Sequence, residues 1–191
     1  MGLNRVTQTI HGKVTALIVY VDDMIITGDD KEGISRIQKQ LASEFKIKNL
    51  GGLKYFLGIE VVRSRQGICL SQRKYVLDLL AEVGMLECKL ADTPITQNLK
   101  LSECSDQVPM NKGRYQKLVG KLIYLSHTRP DIAYAVSVVS QFMHSPSKDH
   151  MDAVTRILRY LKSSAGRGLM FSKNDHLKVD GYIDVDWAGK F

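Results

Sequence analysis

The residues best placed to do chemistry are Tyr20-Val21-Asp22-Asp23, inside ALIVYVDDMIITG, where short aliphatic and β-branched runs flank two adjacent carboxylates. Carboxylates this close repel unless a cation joins them or one takes up a proton. Magnesium resolves the conflict: it prefers oxygen ligands, keeps several waters, and commonly takes one or two carboxylates together with a substrate phosphate. Two such ions support nucleotidyl transfer, one at the attacking hydroxyl and one at the leaving group. Positioning and charge neutralisation carry most of that reaction. The alternative is an exposed polar turn, for which Asp is a common residue. The pair alone fits that turn better; the apolar runs around it and the Tyr before it are what favour a cation.

The elements that must position the pair follow from periodicity. Residues 14–20 and 24–27 read as a hairpin with the Asp pair at its tip, where strand twist relaxes the rule that successive side chains face opposite ways. Ile34, Ile37, Leu41 and Phe45 recur at helical spacing after Asp29 and Asp30, either of which can cap a helix. Residues 55–63 and 68–71 read as a second hairpin turning at Gln66-Gly67. Residues 72–83 read as a helix with Tyr75, Val76, Leu79 and Leu80 on one face and Gly84 as its stop. Residues 88–110, which hold Pro94 and Pro109, read as a linker. Three more helical patterns cover 112–126, 130–143 and 146–162, with Pro130 and Pro146 in first turns and Ser145 as an N-cap. In the last, Met151, Val154, Leu158 and Leu161 form the apolar stripe, and Arg156, Arg159 and Lys162 fall largely outside it. Strands over 168–172 and 178–186 complete an α+β pattern.

Composition bounds the function classes. The 191 residues are 44% hydrophobic and 25% charged, enough for an ordinary core. The net charge of +7 permits a polyanionic partner without requiring one. The surplus is concentrated: residues 111–173 hold eleven basic and three acidic side chains, a net +8. Solvated helix faces account for such a bias as readily as nucleic-acid phosphates do. Cys69, Cys88 and Cys104 are scattered, which argues against a zinc site or a disulfide framework and fits a reduced, intracellular setting. No apolar run approaches the ~20 residues that span a bilayer, and the expectation is a soluble protein with no membrane partner.

On these residues the chain resembles the reverse transcriptases of copia-type long-terminal-repeat retrotransposons. YVDD and its flanks are similar to that family's polymerase-site hairpin. FKIKNLGGLKYFLGIEV resembles the stretch leading into its primer-grip hairpin, and LSQRKYVLDLLAEVGM the start of its thumb. KLVGKLIYLSHTRPDIAYAVSVVSQFMHSP and RILRYLKSSAGRGLMFS resemble the helical segment before ribonuclease H, and GYIDVDWAG the first strand of that domain. The resemblance implies a partial palm with both hairpins over residues 1–71 and a thumb-like helix and linker over 72–110. It implies a basic helical connection region over 111–173 and the start of ribonuclease H over 174–191.

The same resemblance implies roles. Asp22 and Asp23 match the pair that binds Mg2+, two ions being expected in the complete enzyme. Tyr20 matches the residue shaping the floor near the primer end. Lys54, Tyr55, Phe56, Leu57 and Gly58 match the segment that holds the primer strand, although Tyr55, Phe56 and Leu57 serve equally well as hairpin core. Asp184 matches the first metal-binding carboxylate of ribonuclease H. Arg156, Arg159 and Lys162 are candidates for nucleic-acid phosphates. The implied partners are an RNA template, a DNA primer, deoxynucleotides and the rest of the Pol polyprotein, in the cytoplasm or in virus-like particles. His127-Thr128-Arg129-Pro130-Asp131 also matches the family and reads as a helix start.

Such a polymerase needs a further Asp upstream of the hairpin, and the residues before Asp22 contain neither Asp nor Glu. The expectation is therefore a chain with little or no polymerase activity alone. A non-catalytic nucleic-acid-binding module and an inert remnant of a degraded element are the competing readings.

Overall fold

A computed structural model describes residues 4–10, 12–97, 99, 101 and 111–173. The order is β1 (Asn4–Ile10), β2 (Lys13–Tyr20), β3 (Asp23–Gly28), α1 (Lys31–Glu44), β4 (Tyr55–Phe56), β5 (Ile59–Arg63), β6 (Gly67–Ser71) and α2 (Arg73–Glu82). After the linker come α3 (Lys112–Ser126), α4 (Pro130–Ser140), α5 (Lys148–Ser163) and β7 (Gly168–Ser172). The class is α+β, with two antiparallel sheets ordered β1-β2-β3 and β4-β5-β6-β7.

The first sheet grows from β2, whose KVTALIVY run suits a pleated, half-buried surface. Its pairing with β3 puts Tyr20 opposite Asp23 and leaves Val21-Asp22 as a two-residue loop, as the hairpin reading expects. β1 is an addition to that reading. It pairs with β2 from Asn4↔Val19 to Ile10↔Lys13, yet residues 4–9 are exposed, so its sequence carries no buried alternation to announce it. Asp30 caps α1 by accepting from the Gly33 N–H at 2.9 Å.

Three boundaries differ from expectation for local reasons. The strand expected over 55–63 is broken by a turn at Leu57-Gly58, which makes β4 and β5 a hairpin of their own. α4 ends at Ser140 because the next amides bond three residues back, Gln141 to Val138 and Phe142 to Val139, tightening the last turn. α5 is capped by Ser147, not Ser145, which leaves Pro146 ahead of the helix. There the His150 ring accepts from the Ser147 N–H at 3.0 Å and stacks on Phe142, a capping box with His in the usual Glu position.

The core joins α2, α3, α4 and α5. Ile132, Ala135, Val136 and Val139 give α4 the i, i+3, i+4, i+7 stripe of a helix buried on one face. Val76 and Leu80 of α2, Leu122 and Leu125 of α3 and Leu161 of α5 fill the space opposite. Each such side chain contributes about 1.5–3 kcal/mol on burial. Packing thus runs from α2 across the linker to α3, α4 and α5. β7 also pairs with β6 from Gly67↔Ser172 to Ser71↔Gly168, so the chain after the helices completes the sheet that began before them. Gly67 makes this possible: a Cβ there would fall on the Phe171 carbonyl. Among the described residues no helix is long and apolar enough to cross a membrane.

Candidate functional site

The first site element is the β2–β3 tip. Of the two loop residues only Val21 has a positive φ, 52°, the pattern of a type II′ turn whose first central position normally belongs to Gly. A β-branched residue in the left-handed region is strained, by about 1–2 kcal/mol. Tyr20 is half-buried below the tip, while Asp22 and Asp23 are exposed. Neither carboxylate makes a hydrogen bond or ion pair with any described residue. Their lone pairs are therefore open to a hard cation, and the pair fits magnesium as a partial ligand set. Among the described residues no group of three or more Asp, Glu, His or Cys side chains is arranged to hold a metal.

The second element is the β4–β5 hairpin. Leu57 and Gly58 have φ of 51° and 81°, so both central residues are left-handed, as in a type I′ turn. The Tyr124 hydroxyl, from α3, donates to the Leu57 carbonyl. A Cβ built on Gly58 would lie 3.4 Å from the Tyr75 ring and 3.8 Å from that of Tyr124. The Glu60 carboxylate accepts from the Lys74 N–H at 2.9 Å, tying the hairpin to the start of α2. Lys54 and Tyr55 are exposed, and Phe56 is half-buried. Burial raises the Tyr124 hydroxyl above its ordinary pKa, and the neighbouring Tyr55 and Tyr20 add to the rise. The structure thus sets Leu57 and Gly58 of the primer-strand candidates against Tyr124, a residue that sequence reasoning missed.

The basic candidates on α5 do not form one free surface. Arg156 donates to the Thr93 hydroxyl at 2.9 Å, and Lys162 to the Cys88 carbonyl at 2.8 Å. Ser163 reaches the Ala91 carbonyl at 3.2 Å, so three side chains fasten the linker to α5. Arg159 stays exposed. On α3, Lys117 and Lys121 both pair with Glu82 of α2. Hydrogen bonds from Lys117 and then Lys121 lower the Glu82 carboxyl to about 2. Asp184 lies outside the described residues.

His127-Thr128-Arg129-Pro130-Asp131 is more than a helix start. Thr128 donates to the Gln72 side chain at 2.7 Å, linking α4 to the head of α2. Arg129 is 1% exposed and donates to both Asp131 oxygens, to the Ser164 carbonyl at 3.0 Å and to the Ser164 hydroxyl at 2.7 Å. Tyr160 donates to Asp131 at 2.8 Å. Burial alone would raise the Asp131 carboxyl; hydrogen bonds from Arg129 and Tyr160 outweigh it and hold the group below its usual range. The only sequence signal was an Arg set between a buried helix end and a first-turn Pro-Asp.

The reverse transcriptase (RNA-dependent DNA polymerase) family profile matches residues 7–97, which include both hairpins and α2. The chain is 43% identical over 176 residues to the retrovirus-related Pol polyprotein of transposon RE1 from Arabidopsis thaliana, covering 92% of this chain and 12% of that one. It is 42% identical over 182 residues to the Pol polyprotein of transposon TNT 1-94 from Nicotiana tabacum, covering 91% and 14%. This chain belongs to the reverse transcriptases of copia-type retrotransposon Pol polyproteins.

The similarity extends past the profile. An uncharacterised mitochondrial protein of Arabidopsis thaliana is 41% identical over 173 residues, which is 91% of this chain and 72% of that protein. Helices α3, α4 and α5 of this reverse transcriptase chain, all beyond residue 97, thus fall in a stretch long enough that these alignments must include most of it. The chain spans only about 12% of the length of the RE1 polyprotein. No solved structure matches it significantly.

Proposed function

We propose that this chain supplies the metal-binding hairpin and the primer-strand hairpin of an RNA-directed DNA polymerase. An RNA template, a DNA primer and deoxynucleotides are the substrates, and the rest of the Pol polyprotein completes the enzyme. The observation that carries this reading is the Asp22–Asp23 pair, exposed on a strained tip with no partner for either carboxylate among the described residues. Asp22 and Asp23 would hold Mg2+, which when bound neutralises phosphate charge and favours ionisation of the primer hydroxyl. Tyr20 would form the floor beneath the primer end. Lys54 would meet a backbone phosphate, with Tyr55, Phe56, Leu57 and Gly58 fixing the height of that strand. The ligand set is incomplete among the described residues, and in this reading a carboxylate from elsewhere in the polyprotein would complete it.

Primer extension on an RNA template with Mg2+ tests this reading. The chain alone is expected to bind primer–template at low salt and to extend it little or not at all. Robust incorporation abolished by Asp22→Ala would show the chain to be self-sufficient. Absence of binding even at low salt would overturn the reading as a whole. Binding without catalysis is the second reading, favoured by exposed Arg159, Lys112, Arg114 and Lys148. It calls for a steep loss of affinity with salt that is unchanged by Asp22→Ala.

A further inference from the structure

A Leu-Gly pair is an unusual choice for a turn with two left-handed residues, because Leu bears a Cβ where Asn or Gly is preferred. Contacts from other elements hold this turn in place. The Tyr75 and Tyr124 rings and the Gln72 amide form the seat under Gly58. Leu57 lies outside the β4–β5 pairing, and among the described residues the hydrogen-bond donor to its carbonyl is the Tyr124 hydroxyl, 67 residues further along the chain.

That hydroxyl is itself fixed. The Tyr124 ring meets Tyr75 edge-on at 5.5 Å and His127 at 6.3 Å. Its helix is anchored on either side by Leu122 and Leu125, both fully buried. The helical core therefore determines where the Leu57 carbonyl sits, and through it where the exposed edge of the hairpin stands.

We propose that Tyr124 is a positioning residue for the primer strand: its hydroxyl, donated to Leu57, sets the height at which Lys54, Tyr55 and Gly58 meet that strand. This deepens the function proposed above and rests on it. Tyr124 thus couples α3 to the β4–β5 hairpin.

The test uses the full 191-residue chain as wild type, Tyr124→Phe and Tyr75→Phe. The Tyr75 hydroxyl makes no hydrogen bond to the turn among the described residues, so Tyr75→Phe is the control. Amide hydrogen exchange at Gly58, Ile59 and Val61 is read beside the affinity for a recessed 3′ end relative to a blunt duplex. Tyr124→Phe is expected to speed exchange there roughly three- to tenfold, as loss of one hydrogen bond does, with no more than a matching small drop in the unfolding midpoint. It should lower the preference for the recessed end by a similar factor, and Tyr75→Phe should change neither. Unchanged exchange at the turn, or an equal rise throughout α3, overturns the inference about Tyr124. A wild type that does not prefer the recessed end overturns the primer-strand reading itself, and the positioning role falls with it.

Discussion

Arg129 and Asp131 form a two-pronged ion pair at the head of α4, Nε to Oδ1 at 2.9 Å and Nη2 to Oδ2 at 2.8 Å, with the guanidinium almost wholly out of water. The same guanidinium reaches Ser164 just past α5, so one side chain ties the start of one core helix to the end of another. A buried guanidinium is tolerated only when it is paired and hydrogen-bonded.

Removing one partner leaves the other charge uncompensated. Asp131→Ala is expected to cost about 3 kcal/mol, and Arg129→Met somewhat less because it leaves Asp131, which is partly open to water. Arg129→Lys should not rescue the pair, since an ammonium cannot span both Asp131 oxygens and Ser164. Urea unfolding of the three variants checks the order; an Asp131→Ala midpoint equal to wild type would remove the network's structural role.

Backbone strain gives a prediction of opposite signs at the two hairpin tips. Val21→Gly relieves a left-handed β-branched residue that is 55% exposed and loses little packing, so stability should stay level or rise by about 0.5 kcal/mol. Gly58→Ala puts a Cβ at φ 81°, and stability should fall by about 1 kcal/mol. Thermal melts of the two variants separate the cases.

These two turns also show what was legible in the sequence. The Asp22–Asp23 tip could be read because β-branched residues repeat on both sides of it and Asp is a turn residue. The Leu57-Gly58 turn could not, because its support comes from Tyr124 and Tyr75 rather than from its own residue types. Arg129 was hidden for a related reason: charge ordinarily predicts solvent, and only the fold brings Asp131 and Ser164 around it. The apolar stripe of α5 announced part of the helical core in advance, since Val154, Leu158 and Leu161 are all buried. β1 was missed because all its side chains from 4 to 9 stay in water.

Alkaline pH should unfold the helical core through Tyr115. Its side chain is fully buried and donates to the Val139 carbonyl at 2.6 Å, and burial pushes its hydroxyl up to about 12. Tyrosine is neutral below its pKa, so a raised folded value leaves stability intact below pH ~10 and removes it between ~10 and 12. The loss should be on the order of 2 kcal/mol and should be clearly smaller in Tyr115→Phe, which leaves only the lesser rises at Tyr75, Tyr124 and Tyr160. Denaturant midpoints from pH 8 to 12 for both proteins are the measurement.

Acid pH acts on a different contact. Glu82 bridges α2 to Lys117 and Lys121 of α3, and those hydrogen bonds hold its carboxyl at about 2. A lowered carboxylate pKa gives stability that is present above the unfolded value of 4.5 and is lost as pH falls towards 2. Glu82→Gln should therefore lie below wild type at pH 7 and converge with it near pH 2. A gap independent of pH would mean that Glu82 acts by packing rather than by charge.

Metal binding at the tip provides the most direct test of the Asp pair. Asp22 and Asp23 offer two exposed carboxylates and no third ligand among the described residues, so the remaining positions around a magnesium ion would be filled by water. Affinity should therefore be low, and Mn2+, a paramagnetic substitute for Mg2+, is the suitable probe. Relaxation broadening should centre on residues 20–24 and disappear in the Asp22→Asn, Asp23→Asn double variant. Because the pair has no partner to lose among the described residues, that variant should also keep its unfolding midpoint within about 0.5 kcal/mol of wild type. Broadening spread evenly over the other surface acids would mean that the tip has no special claim on the ion. The tip would then be a solvated turn.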